Sequence, residues 1–396
     1  MAGGAGRPLA PFNCELCILN SEFPLGLYVH VPFCASICNY CNFNRGLFDA
    51  GLKSRYVEAV VREIEAAGDG SAADTIFLGG GTPSLLSPSD IRAILEACRR
   101  AFDVSNSAEI TLEANPETVT LETLDGFRQA GINRLSFGVQ SFRDAELDRL
   151  TRRHSAAGAI TAFEFGRRAG FDNISLDLMM WLPQQTIDQW LESVDALVAL
   201  GPEHASMYML EIYPNAPLRD SMARGQWSVA PDDDVAEMYL QALERTDRAG
   251  YTQYEISNVA RPGRESRHNL KYWTDGQWLG FGPGAHSTRR NTRWKNLAST
   301  EEYISAVTNG GRLALDERRL SPAEHLEEVL FTGLRLPSGL DVAELKTRYG
   351  VDILAVYGQE LMPYTEAGLL LYDDGRLRLT RAGMLLAHEI MAVFIR

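Results

Sequence analysis

The sequence contains no apolar run long enough to cross a bilayer as a helix. Its first residues, MAGGAGRPLAPFNCEL, also lack the charged start and apolar core of a signal peptide. These two absences predict a cytoplasmic protein with no transmembrane segment. Lysine and arginine form no cluster, and the formal net charge is -14, which argues against nucleic acid or anionic membrane as a main partner. No repeat recurs at a solenoid period, and no segment has the biased composition of a disordered chain. Cysteine is scarce, with 6 in 396 residues. In a reducing compartment these read as ligands or core thiols rather than as disulfides.

What the sequence does have is a regular alternation. From about Leu25, the β-like runs GLYVHV, DTIFLG, EITLEA, RLSFGV, NISLDLMM and HASMYML alternate with amphipathic stretches such as RYVEAVVREIEAAG, DIRAILEACRRAF and TIDQWLESVDALVALG. This is the signature of βα units around a parallel sheet. Six strands in this order predict an α/β fold with a partial (β/α)6 barrel, whose chemistry collects at the C-terminal ends of the strands. One helix start is legible in detail: Ser87 as N-cap, Pro88 at the first helical position and Asp90 in the first turn. Ile91, Ile94, Leu95 and Cys98 then recur on one face, which makes Cys98 a core thiol. After PDDDVAEMYL the alternation lapses into a Gly-, Arg- and aromatic-rich segment, YEISNVARPGRESRHNLKYWTDGQWLGFGPGAHS. From about Ser321 the pattern is helical, with one hairpin signal, LLLYDDGRLRLT, turning at Asp374-Gly375. The expected division is a loose tail over 1–22, the barrel over 23–230, an extension over 231–300, and a C-terminal helical or winged-helix domain over 301–396.

The chemistry begins just past the first strand, where Cys34, Cys38 and Cys41 stand at a C-x3-C-x2-C spacing. Three thiolates there can hold three irons of a cubane 4Fe-4S cluster and leave the fourth iron open. A zinc site would need paired C-x2-C groups or a histidine completing a tetrahedron, and no such partner sits nearby. Cys14 and Cys17 do form a C-x2-C pair, which reads either as a second site or as an incidental pair in the tail. Strand DTIFL runs into Gly79-Gly80-Gly81-Thr82-Pro83-Ser84, and backbone without side chains can approach a ligand closely. Glu113 and Gln140 end their strands and Asp177 lies near the end of its own, so all three are polar groups where the barrel rule places chemistry. Each also has the plainer reading of a solvated or helix-capping side chain. Arg152, in LTRRH, reads as a helix-borne cation able to meet a carboxylate, or as one of a solvated pair with Arg153.

The cysteine spacing, led by Tyr28 and with Tyr40 before the last cysteine, resembles that of the radical S-adenosylmethionine (SAM) family. The resemblance implies that the open iron chelates the amino and carboxylate groups of SAM. It further implies that the reduced cluster injects an electron and breaks a C–S bond to give a 5'-deoxyadenosyl radical, and that a reducing donor such as flavodoxin or ferredoxin supplies the electron. It assigns Cys34, Cys38 and Cys41 to the cluster. To SAM it assigns Tyr28, Tyr40, Gly80, Gly81, Thr82, Glu113, Gln140, Arg152 and Asp177.

Along nearly its whole length the chain resembles the coproporphyrinogen oxidase-like branch of that family. The likeness rests on LYVHVPFC...CNYC, GGGTPS, E-x-N-P from Glu113 to Pro116, RLSFGVQSF, and YEISN...RHNLKYW...GPGAHS. The branch holds oxygen-independent oxidases, haem chaperones and methyltransferases that use two SAM molecules. Its oxidases carry another cysteine two residues after the third cluster cysteine, and here that residue is Phe43. Its chaperones carry an aromatic there, usually after an acid, which is Asn42 in this chain. They also carry an H-N-x-x-Y-W motif, here His268-Asn269-Leu270-Lys271-Tyr272-Trp273. The resemblance therefore implies a haem chaperone with haem-accepting protein partners, in which His268 ligates haem and Tyr272 and Trp273 cover it, with His286 as a second candidate. An oxidase-like enzyme or a methyltransferase on another substrate is the alternative, and by itself a histidine beside aromatics reads more often as a hydrogen-bonded structural residue. One departure stands out. The turn after the strand bearing Asp177, usually G-L-P-G-Q, reads Trp181-Leu182-Pro183-Gln184-Gln185. If that turn needs positive φ, the loop is expected to differ and the indole to reshape the cavity beside SAM.

Overall fold

The computed structural model of the chain describes residues 24–395; the expected tail, with Cys14 and Cys17, lies outside the described residues. Six strands, β1 (Leu25–Val31), β2 (Ala72–Gly80), β3 (Asp103–Ala114), β4 (Arg134–Gln140), β5 (Ile174–Met180) and β6 (His204–Met209), pair in parallel in that order. Most read as near-continuous buried runs, as in Leu25–Val31, because a parallel strand covered on both faces needs apolar residues at every position, although β3 is buried only from Ala108 and β6 ends exposed. Helices such as Ala50–Ala67, Pro88–Ala101 and Ile187–Leu200 provide the connections and bury one stripe each. The expected start at Ser87 is a complete capping box: Ser87 Oγ accepts from the Asp90 amide, and Asp90 Oδ2 accepts from the Ser87 amide at 2.9 Å. Such a cap contributes about 1 kcal/mol. Cys98, on the inner face of that helix, is fully buried, and burial pushes its thiol up to about 12.

The sheet does not close. It continues from both edges of the six parallel strands, and both continuations come from later sequence. Beside β6 lie β7 (Thr252–Glu255) and β8 (Asn258–Ala260), antiparallel. Beside β1 lies β9 (Trp278–Phe281), parallel, followed by β10 (His286–Arg289), β11 (Thr292–Asn296) and β12 (Ala314–Arg319). The result is a 12-stranded open sheet with the partial barrel at its centre. Between β8 and β9 the helix Arg267–Trp273 packs under the start of β1. The approach is so close that a Cβ on Gly26 would lie 2.9 Å from the His268 ring.

From Ser321 onward the chain forms a winged-helix-like unit. Helices Pro322–Gly333, Val342–Tyr349 and Ile353–Glu366 accompany a three-stranded sheet of Leu340–Asp341, Arg376–Leu379 and Leu370–Asp373, in that spatial order. Asp374 and Gly375 both take positive φ, 47° and 74°, as a two-residue turn matching the strand twist requires. Arg335 ties this unit to the sheet through the buried carboxylate of Glu255 at 2.8 Å. Among the described residues no helix is long and apolar enough to cross a membrane.

Candidate functional site

The curl of the central strands encloses a cavity of about 680 Å³. Its upper rim is the loop after β1, held by a short parallel pairing of Phe33–Cys34 with Gly46–Leu47. Cys34, Cys38 and Cys41 all line the cavity, and none is in a disulfide. Among the described residues no three His, Cys, Asp or Glu groups converge closely enough to hold a single metal ion, whereas a cubane takes one thiolate per iron. The donor set thus fits a cluster. Arg45 wraps the loop by donating to the carbonyls of Cys41 and Phe43. His30 Nε2 donates to the Asn44 carbonyl at 2.7 Å, so Nδ1 is left to accept from the Tyr28 hydroxyl at 3.0 Å. Phe43 lines the mouth of the cavity with 69% of its surface exposed, an aromatic offered to solvent rather than a core residue.

All nine residues expected to face SAM line this cavity. Gly81 must be glycine, since a Cβ there would lie 2.6 Å from the Phe33 carbonyl. Glu113 Oε2 accepts from the Gly80 amide at 3.1 Å. Asp177 accepts from the hydroxyls of Ser136 and Ser175. Burial pushes Glu113 up to about 8, with the nearby charge of Asp177 adding to it. Asp177 is also raised by burial, against hydrogen bonds from Ser206, Ser136 and Ser175. Gln140 ends β4 at φ 68°. Arg152 is not helix-borne: it follows the short helix Asp144–Arg149, from where it donates to Asn115 Oδ1 at 2.7 Å and the Gly138 carbonyl at 2.8 Å. Its other amino group lies 3.6 Å from Cys38 Sγ, so it is no solvated partner of Arg153 but a cation beside the thiols.

The residues expected at haem are only partly brought together. His268 and Tyr272 line the lower end of the same cavity, whereas Trp273 does not. Trp273 turns toward the winged unit, with Arg335 over its ring at 4.2 Å. His268 is 1% exposed. Its Nδ1 lies 2.8 Å from Thr75 Oγ1 and its Nε2 3.0 Å from the Tyr272 hydroxyl, and its ring stacks on Phe77, which stacks in turn on Tyr28. Burial, then the charge of Lys271, lowers it to about 3, so the imidazole is neutral. His286 stands on β10, exposed and away from the cavity.

The turn at Trp181 corrects the expectation. The turn takes the positive φ despite the bulky residue: Trp181 and Gln184 have φ of 65° and 61°, the left-handed conformation that glycine adopts without cost. The indole does not reshape the cavity, for Trp181 packs against the core and donates from Nε1 to the Ala230 carbonyl at 2.8 Å. Gln184 is exposed, and its side chain makes only long bonds to Ser228 at 3.3 Å, while its backbone amide donates to the Ser228 carbonyl at 2.8 Å whatever the side chain. Gln184→Gly should therefore raise stability by about 0.5–1 kcal/mol. Trp181→Gly should lower it, because the lost packing and hydrogen bond outweigh the relieved backbone. Melting temperatures of the two variants check the opposite signs.

Other residues at the site gave no readable signal. Arg134, His204, Tyr254 and Asn258 line the lower part of the cavity, yet in sequence Arg134 opens an apolar strand and His204 begins another. Their role follows from the inward curl of the strand starts, which periodicity does not encode.

Comparison with known proteins gives this site its relatives. The Radical SAM superfamily model matches residues 28–197, and the HemN C-terminal domain model matches residues 320–386. Heme chaperone HemW of Bacillus subtilis is 36% identical over 372 residues, covering 93% of this chain and 98% of its own. The Mycobacterium tuberculosis protein of the same name is 37% identical over 381 residues, covering 94% and 95%. In structure, coproporphyrinogen III oxidase (HemN) from Escherichia coli shares the fold, with a TM-score of 0.84 at 23% identity over 96% of this chain and 92% of that one. The fold, the cysteine-rimmed cavity and the near-full-length likeness together mean that the chain belongs to the HemW family of radical SAM proteins.

Proposed function

We propose that the chain is a haem chaperone, binding haem and passing it to haem proteins, on a scaffold that carries a 4Fe-4S cluster and SAM. Membership of the superfamily implies the cluster and SAM, and relatives at 36–37% identity carry the name heme chaperone. The observation that carries the reading is one continuous cavity, rimmed by Cys34, Cys38 and Cys41 and floored by a neutral, buried His268. When bound at three thiolates, such a cluster supplies an open iron to a chelating ligand. Glu113, Asp177, Gln140 and Arg152 would hold SAM beside it, with Arg152 keeping a positive charge next to the thiolates. Ligation of haem by His268 would require Tyr272 to release Nε2 while Thr75 holds Nδ1–H, the second-shell arrangement that orients a ligating imidazole. Phe43 in place of a fourth cysteine weighs against the oxidase.

The test is a hemin titration of anaerobically reconstituted full-length protein. Wild type is expected to bind stoichiometrically with a shifted Soret band, and His268→Ala to lose the shift while keeping the cluster absorbance. Turnover of coproporphyrinogen with SAM, releasing carbon dioxide and 5'-deoxyadenosine, would sink the chaperone reading. Accumulation of S-adenosylhomocysteine from a second SAM would point to a methyltransferase.

A further inference from the structure

The lower half of the cavity holds a buried charge that, among the described residues, enters no ion pair. Arg134 is the first residue of β4, and the alternation of a strand turns Arg134, Ser136, Gly138 and Gln140 to one face; all four line the cavity. Six residues at about 3.3 Å each set the start of β4 roughly 20 Å below Gln140, at the end opposite the cysteines. The Arg134 side chain is 2% exposed. Its Nε has no hydrogen-bond partner, and among the described residues its guanidinium enters no ion pair. Three carboxyl groups line the cavity, but Glu113 bonds the Gly80 amide, Asp177 bonds serine hydroxyls and Glu211 accepts from the Tyr213 hydroxyl; burial raises Glu113 and Asp177 although the charge of Arg134 acts against it, and neither forms an ion pair with Arg134. His204 and His268 are driven neutral by burial and, in part, by the charge of Arg134 itself.

A buried guanidinium left unneutralised is costly, and a chain retains one where an anion is to be received. Its planar fork of donors matches a carboxylate in two parallel bonds. Polar groups surround the spot: His204 Nε2 lies 2.8 Å from the Tyr254 hydroxyl, to which Asn269 Nδ2 donates at 3.3 Å. Above it the wall turns apolar and aromatic with Phe77, Tyr28 and Met179. A ligand suited to this cavity has a flat apolar body and a carboxylate at one end.

Resting on the haem reading above, we infer that Arg134 is the anchor for a carboxylate of the ligand held in the cavity, a propionate if that ligand is haem. The carboxylate enters the floor while the macrocycle lies against Phe77 and Tyr28. Arg152, beside the cysteines, serves a different anion.

Hemin and its dimethyl ester, which lacks the charged propionates, separate this role from a structural one. Wild-type protein should bind hemin about 10- to 100-fold more tightly than the ester, the worth of a charge-assisted hydrogen bond in a buried site. Arg134→Gln should weaken hemin by the same factor and leave the ester within about 3-fold, while Arg134→Lys should recover part of the loss. Equal loss of both ligands in Arg134→Gln, or no loss of either, overturns the inference and leaves the haem reading standing. If Arg134→Gln fails to fold or to retain its cluster, wild type alone decides, since equal affinity for hemin and ester overturns the anchor. Wild type that binds neither overturns the haem reading and the anchor with it.

Discussion

Cys38→Ala protein, reconstituted anaerobically with iron and sulfide, is expected to hold no intact 4Fe-4S cluster, with its broad visible absorbance abolished and its bound iron falling from about four per chain toward zero. Cys98→Ala is expected to retain the full complement. The two positions carry the same residue and differ in everything around it. Cys98 is sealed inside a helix–sheet interface, where burial outweighs the nearby charge of Arg99, and its raised thiol is that of a packing group. Cys38 is half-buried at the cavity rim, its Sγ 3.6 Å from the Arg152 guanidinium and beside the two other loop cysteines. Because each cysteine serves its own iron, losing one leaves two irons open to water, and the remaining pair of thiolates is too few to keep a cubane. An intact cluster in Cys38→Ala would contradict the ligand assignment. Iron loss in Cys98→Ala at unchanged melting temperature would contradict the contrast.

How far the site could be read from sequence depended on where in the strand a residue lies. Glu113, Gln140 and Asp177 were legible because they interrupt apolar runs at the C-terminal ends, and an uncompensated polar group there asks for a reason. Arg134 was not, since a charged residue at the start of a strand looks like the solvent-exposed boundary of the run; only the curl of the sheet turns it inward. The same holds for the edges. β9 and β8 come from a segment whose glycines and aromatics suggested an extension, and nothing in a local window says that one part will pair with β1 and another with β6. Trp181 is a third kind of case. Its type argued against positive φ, but the turn between β5 and the next helix is fixed at both ends, and the indole finds a hydrogen bond and packing that offset about 1 kcal/mol of backbone cost. Tertiary context overrode local preference.

Glu113→Gln should change both stability and SAM binding, and the two should move in opposite directions with pH. In the ligand-free protein Glu113 titrates near 8 instead of 4.5, burial being the larger cause and Asp177 the next. A carboxyl raised in the folded state contributes stability that is fully present below its unfolded value and is lost as pH rises through its folded one. The apo protein should therefore lose stability between about pH 4.5 and 8, at no more than ~1.4 kcal/mol per pH unit. Glu113 faces the cavity, so water entering it trims the slope, and we expect roughly 2 kcal/mol over the whole window. Glutamine keeps the shape and the acceptor for the Gly80 amide but has no proton to lose, so urea unfolding of Glu113→Gln at pH 8 should exceed wild type by about that amount. SAM reverses the balance. Its sulfonium is a fixed cation, and a cation beside Glu113 favours the ionised form, so wild-type affinity for SAM should rise with pH up to about 8 and then level off. Glu113→Gln should bind SAM about 10- to 100-fold more weakly at pH 8, with no rise in affinity toward that pH. A variant more stable at alkaline pH yet poorer at holding SAM is what a carboxylate kept for a cation predicts. Unchanged SAM affinity would remove Glu113 from the site.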